Sequence, residues 1–337
     1  MRMDRRAGLL FLRKKEISYY GTAEALSTGR YYLAATHVGA YALFGGGQTK
    51  SSTYSSVVNA YSSELVRSTA TALSAARCDL AAASVGNYAL FGGGRGSSNS
   101  SAVDAYDASL THTTPTALSV ARYELVATSV GNYAVFGGGR STTSVNAYDT
   151  NLVRSTPADT SVMRYALAAA SVGNYALFGG GFNNDGRRTE VDAYDASLIH
   201  TTPTALSVGR SNLAGASVGG YALFGGGYAT SGSSTVKSTV VDAYSTALVR
   251  STPSELSEAR YGLAGASMKD FALFGGGYGS SASAVVDVYD KTLIASIATA
   301  LSVARYNLAA TTVSKYALFG GGTTGSNSSV VNVYQEA

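Results

Sequence analysis

The chain has 337 residues, of which only 14% are charged, against 39 glycines and 24 tyrosines and no tryptophan; this composition suits an all-β protein with many tight turns and offers little to helices. The net charge of +4 is concentrated in residues 1–16, which hold six basic residues (Arg2, Arg5, Arg6, Arg13, Lys14, Lys15) and two acidic ones (Asp4, Glu16), leaving 19 basic and 19 acidic residues in the rest. A formally neutral body argues against nucleic acid as a partner, since that binding needs a dominant basic face, and a single cysteine, Cys78, excludes an internal disulfide framework.

Residues 1–16 read as a basic leader. Its apolar run, Ala7 to Leu12, is short for a signal-peptide core and is followed at once by Arg13-Lys14-Lys15, without a small-residue cleavage site. No stretch approaches the length of a membrane span. Localisation stays open between cytoplasmic and assembly- or virion-associated.

Residues 17–337 read as one domain built from repeats. Ile17 to Leu26 resembles Leu110 to Leu118, the end of a repeat, whereas the last residues, Val330-Val331-Asn332-Val333-Tyr334, match the middle of one. The N-terminal segment is therefore expected to supply the outer strand that the last repeat lacks. Between these ends the stretch Tyr175-Ala176-Leu177-Phe178-Gly179-Gly180-Gly181 has six further copies, starting at Tyr41, Tyr88, Tyr133, Tyr221, Phe271 and Tyr316. Successive copies are 47, 45, 42, 46, 50 and 45 residues apart, the length of one four-stranded propeller blade. The heptapeptide predicts a short apolar strand stopped by glycines that permit positive φ or close backbone approach. It matches neither a dinucleotide fingerprint nor a phosphate-binding loop, each of which needs further residues at fixed spacing.

One full unit starts at Ala121-Arg122. Strand a, Leu125 to Val130, carries small residues that suit an innermost position; a two-residue Gly131-Asn132 turn leads into strand b. Strand c carries a Val-Asp/Asn-Ala/Val-Tyr core. Strand d begins at a Leu and often ends near Thr-Pro, where proline suits an edge. Strand d also alternates between Arg and His (Arg67, His112, Arg154, His200, Arg250), as duplication of a two-repeat unit would leave it.

The repeat resembles the kelch repeat, on the glycines closing strand b, the strand-c tyrosines (Tyr61, Tyr106, Tyr148, Tyr194, Tyr244, Tyr289, Tyr334) and an Arg opening strand a. It departs from that family in having no Trp on strand d. The resemblance implies an all-β, seven-bladed β-propeller of four-stranded antiparallel blades, closed by an N-terminal strand d set beside C-terminal strands a to c. The family includes enzymes, actin-binding proteins and ubiquitin-ligase adaptors, so the fold selects no function.

Two sets of residues are candidates for binding. Arg30, Arg77, Arg122, Arg164, Arg210, Arg260 and Arg305 each precede a Leu by three residues. At one mouth of a central channel they would bind an anionic group; as internal donors they would serve carbonyls, or Glu24, Glu124 and Glu258. The loops after the glycine triplets, from Arg140–Thr143 to Tyr228–Ser238, are the least alike parts of the chain, and Tyr228 and Tyr278 are their expected aromatic anchors. Asn183-Asn184-Asp185-Gly186 reads as a turn, not a calcium loop. His37, His112 and His200 fall in different repeats and strands, Cys78 stands where other repeats have Tyr, and no catalytic constellation, cofactor or metal site is legible. The expected protein is a non-catalytic scaffold recognising a protein or glycan, with two readings held beside it: a structural or receptor-binding part of a larger assembly, such as a surface adhesin or phage tail, and an enzyme with a loop-built site.

Overall fold

The computed structural model describes residues 15–337; the first fourteen residues of the basic leader lie outside them. Among the described residues there is no helix, and seven four-stranded antiparallel sheets account for the repeats. Sheet one has strands a to d at Ala34–Val38, Tyr41–Gly45, Val58–Ser62 and Arg67–Ala70, hydrogen-bonded in that order. Strands a of sheets two to seven are Ala81–Val85, Val126–Val130, Ala168–Val172, Ala214–Val218, Ala264–Ser267 and Ala309–Val313. Sheet seven takes its outer strand from the other end of the chain. Ile17–Ala23 pairs antiparallel with Val331–Glu336, Tyr19 opposite Tyr334, with a bulge between Tyr19 and Gly21.

The strand-b sequence Ala-Leu-Phe-Gly, with Val135 for Leu in sheet three, is buried without alternation in every sheet. Both of its faces are covered, because a hydrophobic cluster fills each space between consecutive sheets. Leu90 and Val103 of sheet two, for example, pack on Phe136 and Tyr148 of sheet three. Leu318 and Val331 of sheet seven pack in the same way on Phe44 and Tyr61 of sheet one. Consecutive strands a also lie against one another, and Ala309–Val313 lies against Ala34–Val38, so the series of contacts returns to its start.

Backbone hydrogen bonds trace the same circuit. Tyr32, Asp79, Glu124, Ala166, Asn212, Gly262 and Asn307 all have φ between 53° and 62°. Each N–H donates to the carbonyl of its counterpart in the preceding sheet, and Tyr32 donates to Asn307, all at 2.8–3.1 Å. Six of the seven have a Cβ and hold the left-handed conformation at some cost, which a hydrogen bond on each side offsets.

The glycine triplets belong to this interlock. A Cβ on Gly45 would lie 2.8 Å from the Phe91 ring of the next sheet, and one on Gly46, at φ +69°, would lie 2.6 Å from the Arg77 carbonyl oxygen. The N–H of Gly47 donates to that same oxygen at 2.9 Å. The arrangement recurs in every sheet, and in sheet seven Gly322 donates to Arg30 at 2.9 Å. The triplet is therefore a flat edge on which the next sheet rests.

One local feature differs from expectation and another follows it. The leucines thought to begin strand d (Leu65, Leu110, Leu152, Leu198, Leu248, Leu293) sit in the preceding turn with φ of 58–64°. Their side chains pack against the neighbouring sheet's core, which keeps Leu where Gly or Asn would be less strained. The Gly131-Asn132 turn has positive φ only at the glycine, the pattern of a type II′ hairpin.

Candidate functional site

The seven strand-a arginines have no exposed surface. They do not open onto a mouth: each guanidinium lies inside its own sheet and donates through Nη2 to the strand-b Phe carbonyl, from Arg164 to Phe178 at 2.9 Å and from Arg30 to Phe44 at 2.9 Å. This corrects the placement that an anion-binding ring of these seven arginines requires, because an approaching ligand meets no surface of their guanidinium groups. The acidic partner is also not the one expected from sequence. Glu24 pairs with Arg67 and Glu124 with Arg140, and of the three expected glutamates only Glu258 approaches its arginine, 3.6 Å from Arg260.

The partner in six of the seven sheets is the Asp or Asn of strand c. Asp104 receives Arg77 at 2.6 Å, Asp192 receives Arg164 at 2.5 Å and Asp287 receives Arg260 at 2.5 Å; Asp242 receives Arg210. Asn59 and Asn146 receive Arg30 at 3.0 Å and Arg122 at 3.1 Å. In sheet seven Arg305 donates to Phe319 and Val303 instead, while the Asn332 amide donates to Tyr19. Three of the five alternating strand-d residues converge on the same position: His112 lies 2.7 Å from Asp104, His200 2.7 Å from Asp192 and Arg250 3.0 Å from Asp242, whereas Arg67 pairs with Glu24 and Arg154 donates to the Ala117 carbonyl at 2.6 Å.

Electrostatics follow the partner. Burial pulls Arg30, Arg122 and Arg305, which lack a buried carboxylate, down to about 10, so they still carry their charge at neutral pH. Burial pushes Asp104 and Asp192 up, but their arginine, a backbone N–H and a histidine together hold both below the usual carboxylate range. These are structural networks, and they account for His112 and His200. His37 is exposed at the end of strand a of sheet one, beside a depression lined also by Ser84, Ser129, Ser171, Ser267 and Thr312. No group of three or more His, Cys, Asp or Glu that could hold a metal is present among the described residues.

The surface on the glycine-triplet side is built from two positions per sheet: the residue after the buried Arg and the residue after the triplet, which pair backbone to backbone. The pairs are Tyr31 with Gln48, Cys78 with Arg95, Tyr123 with Arg140, Tyr165 with Phe182, Ser211 with Tyr228, Tyr261 with Tyr278 and Tyr306 with Thr323. No two pairs are alike. Side chains from these pairs, together with Arg187 opposite Phe182 in its hairpin, form a ladder of rings and cations from Arg95 to Tyr306. Arg95 lies 5.0 Å from the Tyr123 ring centre, Arg140 lies 5.3 Å from Tyr123 and 3.8 Å from Tyr165, and Tyr165 meets Phe182 at 5.7 Å. Arg187 then spans Phe182 at 5.7 Å and Tyr228 at 5.6 Å. Tyr228 stacks on Tyr261 at 4.0 Å, and Tyr261 and Tyr306 flank Tyr278 at 5.7 and 5.0 Å.

Inside this belt the left-handed circuit surrounds a depression of about 220 Å³ whose lining includes Tyr32, Asp79, Glu124, Asn212 and Asn307. Burial pushes the Tyr32, Tyr261 and Tyr306 hydroxyls up, so they remain protonated donors at neutral pH. Burial and the adjacent Asp79 push the Cys78 thiol up to about 12, which leaves it a packed thiol, not a nucleophile. Tyr228 and Tyr278 thus stand in the belt, Tyr228 at the base of an exposed hairpin, Tyr228–Ser231 with Ser234–Lys237. Sequence reasoning missed Tyr261, Tyr306 and Arg187; the first two follow the repeated arginines directly, and their variation from sheet to sheet was the available signal. In comparison with known proteins, no family model matches the chain and no curated protein matches it.

Proposed function

We propose that the seven sheets are the blades of a kelch-like β-propeller, and that the protein is a non-catalytic binding scaffold holding a protein or glycan ligand at the mouth formed by the triplet loops. The propeller reading is supported by the core clusters, the strand-a contacts, the left-handed hydrogen bonds and the glycine-to-arginine hydrogen bonds, each of which returns from the seventh sheet to the first. The binding reading rests on one observation. The interior repeats almost unchanged from blade to blade, whereas the seven mouth pairs are all different and bring half-buried aromatic rings and guanidinium groups together on one surface. Packing alone does not require that difference; recognition of an asymmetric ligand does.

Exchanging Tyr228–Ser238 for the short Arg140–Thr143 segment tests the reading on a combined glycan and protein array. The expected result is a melting temperature close to that of the unaltered chain with binding lost or redirected. Unchanged binding, or turnover of an arrayed compound, refutes it.

A further inference from the structure

Charge is not spread evenly around the belt. Arg95 is neutralised by Asp79 at 3.0 Å and Arg140 by Glu124 at 2.7 Å. Arg188, next in the chain to Arg187, is neutralised by Glu190. Arg187 has no carboxylate partner among the described residues; its two terminal nitrogens donate to the hydroxyls of Thr230 at 3.2 Å and Thr235 at 3.1 Å, and its Nε, buried, has no acceptor. Lys237 is likewise without a carboxylate; it sits directly opposite Tyr228 across the hairpin, with its ammonium 5.9 Å from the Tyr278 ring centre. Two uncompensated cations therefore flank the aromatic run Tyr228, Tyr261 and Tyr278, while the other half of the belt carries its own counter-ions.

We propose that this sector is a subsite for an acidic oligosaccharide, with Arg187 as the residue that reads its carboxylate or sulfate. The inference rests on the binding reading above and names its ligand. A guanidinium held by two threonine hydroxyls and two aromatic faces is oriented in advance and keeps free N–H groups for a bidentate oxyanion. Thr230, Thr235 and the tyrosines Tyr228, Tyr261 and Tyr278 each offer a hydroxyl that both donates and accepts, which matches the hydroxyls of a sugar. The depression beside them is rimmed by Asp79, Glu124, Asn212 and Asn307. Asp79 and Glu124 are already paired with Arg95 and Arg140, so that side offers an anion no unpaired cation, and the acidic group of the ligand is directed to Arg187 and its neutral hydroxyls to the centre. An acidic peptide shares the charge but not the hydroxyls, and it is the competing outcome.

The test uses the full chain on an array of uronate-, sialate- and sulfate-bearing oligosaccharides, printed beside their carboxyl-reduced or desulfated counterparts and beside acidic peptides, followed by titration calorimetry with the best acidic oligosaccharide. Expected are binding of acidic over neutral forms, weakening as salt rises from 50 to 200 mM, and a loss of about tenfold or more in Arg187→Gln. Arg188→Gln, whose partner is Glu190, should bind as the unaltered chain does, and all variants should melt alike. Neutral forms bound equally well, peptides bound alone, or acidic glycans bound undiminished by Arg187→Gln each overturn the acidic-glycan proposal. If the Tyr228–Ser238 exchange still abolishes whatever binding is seen, the mouth as the binding face survives that failure. Binding untouched by both changes, or no binding to any spot, refutes both.

Discussion

Replacing Arg164 by Met should destabilise the protein far more than replacing Arg122 by Met, although the two occupy equivalent places. Arg164 donates to Phe178 at 2.9 Å and to Asp192 at 2.5 Å, and Asp192, fully buried, also accepts from Ser161 N–H at 2.8 Å and lies 2.7 Å from His200. Without Arg164 the buried carboxylate loses its permanent counter-ion, a change that costs about 3–5 kcal/mol in such pairs. Arg122 donates only to neutral acceptors: Asn146 at 3.1 Å, Phe136 at 3.3 Å and the Ser144 carbonyl. Its loss forfeits hydrogen bonds of about 1 kcal/mol each but also removes an unpaired buried charge, for a net cost of about 1–2 kcal/mol. The expected difference is thus about 2–3 kcal/mol, read as a shift of urea midpoint at unchanged slope, followed by tyrosine fluorescence. Adding Asp192→Asn to Arg164→Met should recover most of that difference. In the single variant Asp192 keeps the Ser161 N–H and His200 but loses Arg164, the largest influence opposing its burial, so its pKa moves up from the depressed native value and the deficit should shrink as pH falls through the new one. Equal losses in the two single variants, or no recovery in the double variant, refute the assignment of these arginines to internal ion pairing.

A chain lacking residues 1–23 should lose thermal stability and gain a tendency to associate, because it leaves the open edge of Val331–Glu336 unpaired; a peptide covering residues 15–25, added in trans, should reverse both in a melting and light-scattering series. The unaltered protein should also lose stability below about pH 4. Asp104 and Asp192 have folded pKa values depressed below the ordinary 3.8, so their contribution is complete above that value and is lost as pH falls through the depressed ones, by up to about 1.4 kcal/mol per pH unit for each group. Asp104→Asn together with Asp192→Asn should flatten that acid limb of the urea-midpoint profile.

The sheets were legible in the sequence because each unit is short, local and repeated. Strand b announces itself through Tyr-Ala-Leu-Phe, its end through the glycines, and the N-terminal strand through the missing end of the last repeat. The role of Arg164 was not legible, because its acceptor Asp192 lies 28 residues on, in an apolar strand that gives no sign of facing inward to a cation. Nor was Leu152 in a left-handed turn, since its local preference is overridden by packing on the preceding sheet. The belt was half legible. Tyr228 and Tyr278 follow the glycines and stand out, but Arg187 joins them only because adjacent sheets bring Phe182 and Tyr228 to either side of it.

The outer strand of the seventh sheet also bears on how the molecule assembles. Every other sheet pairs strands that follow one another in the chain, whereas Ser18 bonds to Gln335 across 317 positions. Closing a loop of that size costs about 3 kcal/mol more than closing a ten-residue hairpin, by the logarithmic growth of chain entropy with length. Six sheets can therefore form during synthesis as their residues emerge, while the seventh waits for the last strand and then draws the first one in. The seam is therefore expected to form last and to open first, and amide exchange along Ile17–Ala23 should be faster than along the inner strands of the other six sheets.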